Sequence, residues 1–237
     1  MPMHILSELS DLIYPIRCYG CKSLGLTICS ICRREWIPHY YKSRLDEINV
    51  HSGLVYTATA SKVILAAKEN GLEGADDLLI TAIIHVLKIV RKDQQYFTLV
   101  PVPSSKQSQR RRGRSFIVDL TQTISQNTGI AMNDCLQVAR RVSDQSGLTR
   151  GQRISNMRGA FSLKPGVILR GDLILIDDVV TTGATLQDAA RALNCRVFMP
   201  LAQFVRLPPV CLNLYDKGVK RPPQGAAMRG KNQCQHL

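Results

Sequence analysis

The sequence predicts an α/β protein: a parallel sheet flanked by helices, with a small cysteine-bearing module at its N-terminus. Three observations predict this class. Apolar, β-prone segments alternate with helical ones across residues 48–206, the pattern of βαβ units. Leu173-Ile174-Leu175-Ile176 is an unbroken apolar run, as expected of a strand buried on both faces. Ahead of these segments lies Cys18-x2-Cys21-x7-Cys29-x2-Cys32, in which each CxxC turn can place two thiolates on one cation. Two such turns complete a tetrahedral sulfur set, and zinc suits it better than a redox role does.

Composition narrows the classes. A chain of 237 residues has room for one α/β domain plus an appendage. Lys and Arg outnumber Asp and Glu by 31 to 18, a net charge of +13, which favours anionic partners such as phosphorylated metabolites, nucleic acid or acidic membrane surfaces. Aromatic residues are only 5%, so base-stacking platforms are scarce. The longest apolar stretch, Leu78–Val90, is interrupted by Thr81, His85 and Lys88 and reads as a helix with one buried face, so no membrane span is expected. Met1–Asp11 has two acids and no basic cluster before an apolar run, unlike a secretory signal. The expected compartment is the cytoplasm, where thiols stay reduced.

The elements follow in order. His4–Tyr14 reads as a short amphipathic helix leading into the Cys module, which ends near Trp36 within an N-terminal segment 1–40. His51–Ala58 is a strand, a helix runs to about Lys68, Gly71 and Gly74 break it, and Asp76–Arg91 is the next helix. Phe97–Val102 is a strand stopped by prolines, and Gly113 to about Thr128 has helical spacing at Phe116, Leu120 and Ile124. Cys135–Ala139 and Phe161–Leu163 are short strands, with Cys135 and Cys195 in the core. The helix after the Leu173 strand starts near Thr185, and a strand crosses Arg196–Val205. Residues 207–237 read as a flexible basic tail.

Three loops carry chemistry. Asp177 and Asp178 end the apolar strand, where open α/β sheets place their ligands. Thr181, Thr182, Gly183, Ala184 and Thr185 follow, small residues that let N–H groups and hydroxyls close around a phosphate at a helix N-terminus. Paired acids beside a phosphate cradle suit a sugar phosphate with vicinal hydroxyls. Ser104, Ser105 and Lys106 leave another strand with N–H donors and a cation, chemistry suited to a diphosphate. The Arg110–Arg114 run that follows is either a solvated helix start or an anion contact. Arg140–Phe161 is long for an α/β connection; Gln145, Arg150, Arg153 and Arg158 point to polyanion contact within a lid able to exclude water.

The Leu173–Thr185 segment resembles the signature of the type I phosphoribosyltransferases, which bind phosphoribosyl pyrophosphate (PRPP). With the CxxC pairs, the Pro101-Val102-Pro103 loop and the stretch from Gln145 to Phe161, the order of motifs resembles the ComF family from roughly Leu9 to Arg206. That family includes competence proteins of transformable bacteria and GntX-like proteins. The resemblance implies a zinc ribbon on a type I phosphoribosyltransferase-like domain, PRPP bound with Mg²⁺, and a role with single-stranded DNA and DNA-uptake proteins. The family commonly has RGFNQ after its arginines, where this chain has Arg112-Gly113-Arg114-Ser115-Phe116, and Lys-Phe-x-Gly where it has Lys68-Glu69-Asn70-Gly71. Two functions are open on these residues. One is a Mg²⁺-dependent transferase in which Asp177 and Asp178 are catalytic. The other is a non-catalytic adaptor that senses PRPP or another nucleotide, or binds single-stranded DNA.

Overall fold

The computed structural model describes residues 15–45, 48–90, 97–140, 149–169, 172–193 and 201–205, all within the compact unit Met1–Arg206. The expected helix His4–Tyr14, Gln145, Cys195 and the tail 207–237 lie outside the described residues. The parallel α/β sheet flanked by helices, expected from the sequence, is the observed architecture.

Strands β1 (Tyr41–Leu45), β2 (Ile48–Val55), β3 (Phe97–Pro101), β6 (Asp172–Val180) and β7 (Leu201–Val205) form one sheet in the order β1-β2-β7-β6-β3. Neighbours from β2 to β3 are parallel, and only the edge strand β1 runs antiparallel, against β2. Sequence reasoning missed β1. Its residues, Tyr-Lys-Ser-Arg-Leu, alternate between half-buried and exposed, and a polar, charged edge strand lacks the apolar run that marks a central one.

The central strand is apolar because it feeds two cores. Ile174 and Ile176 pack with Leu99, the Cys module with its one-turn helix α1 (Ser30–Arg33), and the helices α2 (Ala58–Lys68), α3 (Glu73–Val90) and α5 (Phe116–Thr128). Leu173 and Leu175 pack on the other face with Val100, Val102 and α7 (Ala184–Leu193). Successive side chains of a strand alternate between faces, so four consecutive apolar residues are what two covered faces require.

Two expectations change on the structure. The strands β4 (Leu136–Val138) and β5 (Phe161–Leu163) pair only with each other, as an antiparallel ribbon. At three residues each they are too short to read as sheet or ribbon from pattern alone. Lys106, expected in a loop, opens the short helix α4 (Lys106–Arg112), which Gly113 ends in the left-handed region. The basic run that reads as a helix start is thus a helix of its own, separate from α5.

Residues 149–161 are ordered by a helix, α6 (Arg150–Met157), and two clamps. Thr149 and Gln152 form a reciprocal capping box at its start. Arg140 caps its end, donating to the backbone carbonyls of Asn156 and Arg158, each at 2.6 Å. Asp188 of α7 then accepts from the N–H groups of Gly159 (2.8 Å) and Phe161 (2.9 Å) and pairs with Arg191 Nε at 2.6 Å. The first helix after the signature loop therefore holds the Arg158–Phe161 turn.

Burial alone would raise the Asp188 carboxyl, but Arg191 and the N–H groups of Phe161 and Gly159 outweigh it and hold it below the usual carboxylate range. A lowered folded-state pKa contributes stability that is present above about pH 4 and lost as pH falls through the folded value. Asp188→Asn is expected to cost about 2–3 kcal/mol at pH 7, since charged acceptors of several donors are the expensive ones to lose. Urea unfolding at pH 7 and below pH 4 checks this; a gap that does not narrow in acid contradicts the assignment.

Candidate functional site

The site is built at the carboxyl ends of β3 and β6. Strand β6 continues through Asp177 and Asp178 to Val180, four residues beyond the apolar run, so both acids are strand residues and both are buried. Alternation sends them to opposite faces. Asp178 emerges on the α2 side and forms an ion pair with Lys68 in the last turn of α2. Asp177 accepts the Asp178 backbone N–H at 2.9 Å, and its burial, with the Asp178 charge beside it, raises its carboxyl well above the usual range despite Lys68.

The loop from Thr181 to Gly183 turns the chain into α7, with Ala184 and Thr185 in its first turn. Gly183 has φ +79°, and a Cβ there would meet Leu45 Cδ1 at 2.3 Å, so both the turn and the approach of β1 require glycine. Thr182 Oγ1 accepts the Ala184 N–H at 3.4 Å. Thr181 is exposed, Thr182 and Thr185 are half-buried.

Across from this loop, the chain leaving β3 carries Ser104, Ser105 and Lys106. Val102 N–H donates to Ile176 O at 2.9 Å, which locks the loop's root to β6. Ser105 caps α4, accepting the Ser108 N–H at 3.2 Å, while the Ser104 carbonyl accepts from Gln109 Nε2 at 3.1 Å. A cleft of about 860 Å³ opens between these elements. Its lining brings together Ser104, Ser105, Lys106 and Thr185 with Lys68, Arg110, Arg112 and Arg140, and its wall includes Met157, Ala160 and Phe161. Arg112 is held by Glu69 (2.8 and 2.9 Å), which Arg111 also contacts at 3.0 Å.

Some expected residues stand apart. Asp177, Asp178, Thr181, Thr182, Gly183 and Ala184 do not line this cleft, nor do Arg153 and Arg158, while the Arg150 side chain and Gln145 are outside the described residues; Asp178 is tied to the cleft only through its ion pair with Lys68. Sequence reasoning gave Lys68 and Arg140 no site role. Lys68 lies 110 residues from Asp178, a separation that no local pattern bridges. Its signal was the Lys68-Glu69-Asn70-Gly71 stretch, where the family resemblance has Lys-Phe-x-Gly.

The cysteine cluster is a second centre. The Sγ atoms of Cys18, Cys21, Cys29 and Cys32 all lie within 4.8 Å of one another, and Cys21 and Cys29 are 3.5 Å apart. Tetrahedral Zn–S bonds of about 2.3 Å place sulfurs about 3.8 Å apart, so the set fits one ion and can bind zinc. Cys29 N–H donates to Cys18 Sγ at 3.3 Å. A Cβ on Gly20 would sit 2.5 Å from Cys32 Sγ, so glycine is required where the first turn crosses the second. The backbone N–H of Cys32 pulls the Cys29 thiol down to about 6, while burial pushes Cys32 up to about 12.

Two outcomes follow from this geometry. Metal analysis of purified protein is expected to give about one zinc per chain, and a chelator should lower the melting temperature, because Cys18, Ile28, Cys32 and Trp36 share a core with α2 and α3. Protein free of zinc and of iron contradicts this. A raised folded-state carboxyl binds its proton more tightly when folded, so Asp177 costs stability as pH rises out of the usual carboxylate range. Asp177→Asn removes that cost. Its melting temperature is expected to match wild type near pH 3 and exceed it near pH 7; the reverse trend contradicts the assignment.

No family model matches the chain. It is 31% identical over 102 residues to Competence protein F of Haemophilus influenzae (strain ATCC 51907 / DSM 11121 / KW20 / Rd), a match covering 40% of this chain and 43% of that protein. The chain thus spans less than half the length of this curated relative, and the match agrees with the ComF resemblance of the sequence. Among solved structures, it is similar to adenine phosphoribosyltransferase from Saccharomyces cerevisiae, with a TM-score of 0.37, 14% identity, and 76% of this chain and 90% of that one covered. A second adenine phosphoribosyltransferase structure gives a TM-score of 0.40, 14% identity, and 75% and 90% coverage. Among the described residues, no helix is long and apolar enough to cross a membrane.

Proposed function

We propose that this chain is a ComF-like, phosphoribosyltransferase-type protein that binds PRPP with Mg²⁺ in the cytoplasm and acts in handling single-stranded DNA during uptake. The observation that supports the reading is that the signature acids and the Thr181–Thr185 turn stand together at the carboxyl end of β6, and that Thr185 of this turn and Lys68, the partner of Asp178, line one cation-rich cleft with Ser104, Ser105 and Lys106. The charge of +13 and the similarity to a competence protein support an anionic, DNA-related role.

In this reading Asp177 and Asp178 are the catalytic carboxylates and accept from the vicinal ribose hydroxyls. The 5′-phosphate sits on Thr181, Thr182, Gly183, Ala184 and Thr185, where a ten-residue helix presents N–H groups and the positive end of its dipole. Ser104, Ser105 and Lys106 hold pyrophosphate. Mg²⁺ fits this donor set, because paired carboxylates and phosphate oxygens are hard ligands, and it would neutralise the diphosphate. As pyrophosphate leaves, positive charge develops at the anomeric carbon, and carboxylates fixed in a strand stabilise that charge without reorganising. The segment that holds Gln145, with Arg150 and Arg153 on α6 and Arg158 at its end, excludes water from the reacting centre. Zinc on Cys18, Cys21, Cys29 and Cys32 is structural, in an N-terminal segment 1–40 ahead of a phosphoribosyltransferase-like domain 48–206 and a tail 207–237.

Incubation with PRPP and Mg²⁺, with and without single-stranded DNA, followed by pyrophosphate measurement, tests the proposal. Acceptor-dependent release identifies a transferase. Tight binding without release assigns the alternative, a non-catalytic nucleotide sensor or DNA-binding adaptor. Asp177→Asn with Asp178→Asn is expected to abolish PRPP binding while the fold persists, each single change costing about 1–3 kcal/mol of binding. Wild-type affinity in the double variant, read by calorimetry, refutes the site.

A further inference from the structure

Lys68 occupies a position that nothing in the signature itself explains. It is the last residue of α2, its side chain lines the cleft that Ser104, Ser105 and Lys106 also line, and its ammonium is paired with Asp178. Asp178 is the acid on the α2 face of β6, and its Oδ1 also accepts the Val179 N–H at 2.9 Å. Oδ1 is partly committed to the backbone, so Oδ2, the oxygen bound by Lys68, is the freer acceptor for a sugar hydroxyl once the lysine moves. Lys68 thus covers a carboxylate on one side and faces an anion site on the other. The neighbouring residue, Glu69, is bound to Arg111 and Arg112, so the end of α2 is anchored to the basic helix while the lysine tip, with four rotatable stem bonds, stays adjustable.

We propose that Lys68 is a positioning residue that couples the two halves of the site by exchanging Asp178 for the diphosphate. With the cleft empty, its ammonium neutralises Asp178 and occupies the freer of its two oxygens. A diphosphate on the Ser104–Lys106 loop offers more negative charge than one carboxylate and draws the ammonium across. Asp178 is then released to accept from ribose hydroxyls. The energetic consequence is reciprocal: diphosphate favours ribose binding, and ribose phosphate favours diphosphate binding by the same factor. This role rests on the ribose-phosphate reading of the site.

Calorimetry with inorganic pyrophosphate and ribose 5-phosphate as separate probes tests it, in the full chain with its metal retained. Wild type is expected to bind each probe, and each about tenfold more tightly when the other is present. Lys68→Met should bind pyrophosphate about tenfold or more weakly, bind ribose 5-phosphate alone at least as tightly as wild type, and lose the coupling. Lys68→Arg keeps a cation and should restore pyrophosphate affinity and the coupling. A structural role for Lys68 would instead weaken both probes together in Lys68→Met. Melting curves check folding, and Lys68→Gln replaces Lys68→Met should the latter unfold. Retained coupling in the neutral variant, or pyrophosphate affinity equal to wild type, overturns the role of Lys68 alone. A wild-type protein that binds neither probe overturns the ribose-phosphate reading, and the exchange with it.

Discussion

Burial of β6 on both faces is the constraint on which the rest of the structure depends. A strand sandwiched between two layers must be apolar at every position until the layers end, and Leu173 to Ile176 obey this. When polar residues appear at Asp177 and Asp178, they do so while the strand continues, so the two carboxylates are fixed by the sheet ladder and point to different sides. Neither can relax into solvent. One consequence is the raised Asp177 carboxyl; the other is the recruitment of Lys68 to Asp178. The site is charged against the preference of its surroundings, which is a common cost of placing function where a sheet ends.

Helix α2 connects the two centres of the molecule. Near its start, Lys62 Nζ donates to the Gly20 carbonyl at 2.8 Å, and Thr59 approaches the cysteine turn closely enough that a Cβ on Gly20 would sit 3.1 Å from its methyl group. At its end, Lys68 meets the signature acid and Glu69 meets the basic helix α4. Eleven residues at 1.5 Å rise make a rod of about 16 Å with the cysteine cluster at one end and the cleft at the other. The cysteine module is therefore packed into the core that seats the site, since Cys18, Ile28, Cys32 and Trp36 share one cluster with Ile174 and Ile176.

On the opposite face, α7 has a double duty. Its first turn carries Ala184 and Thr185, and its middle carries Asp188, which fixes Gly159 and Phe161 beside the cleft. The loop that cradles phosphate in our reading and the wall of the cleft thus hang on a single helix. Asp188 was not singled out in the sequence, because an acid in the middle of an amphipathic helix looks like any solvated charge. Only its burial at 5% exposure marks it as structural.

The sequence by itself determined the α/β class, the parallel sheet, the cysteine set and the strand–acid–turn–helix run, because each is written in contiguous residues whose spacing is dictated by local geometry. A strand has period two and a CxxC turn has fixed reach. It also placed Ser104 to Lys106 just beyond the end of a strand. Tertiary structure alone decided that the polar segment Tyr41–Leu45 is an edge strand, that β4 and β5 pair with each other, and that Lys68, Arg112 and Arg140 share a cleft with Ser104 and Thr185. The physical reason is the same in each case. Edge pairing, short ribbons and ion pairs are selected by which partner arrives across the fold, and the residues involved carry no periodic signal of their own.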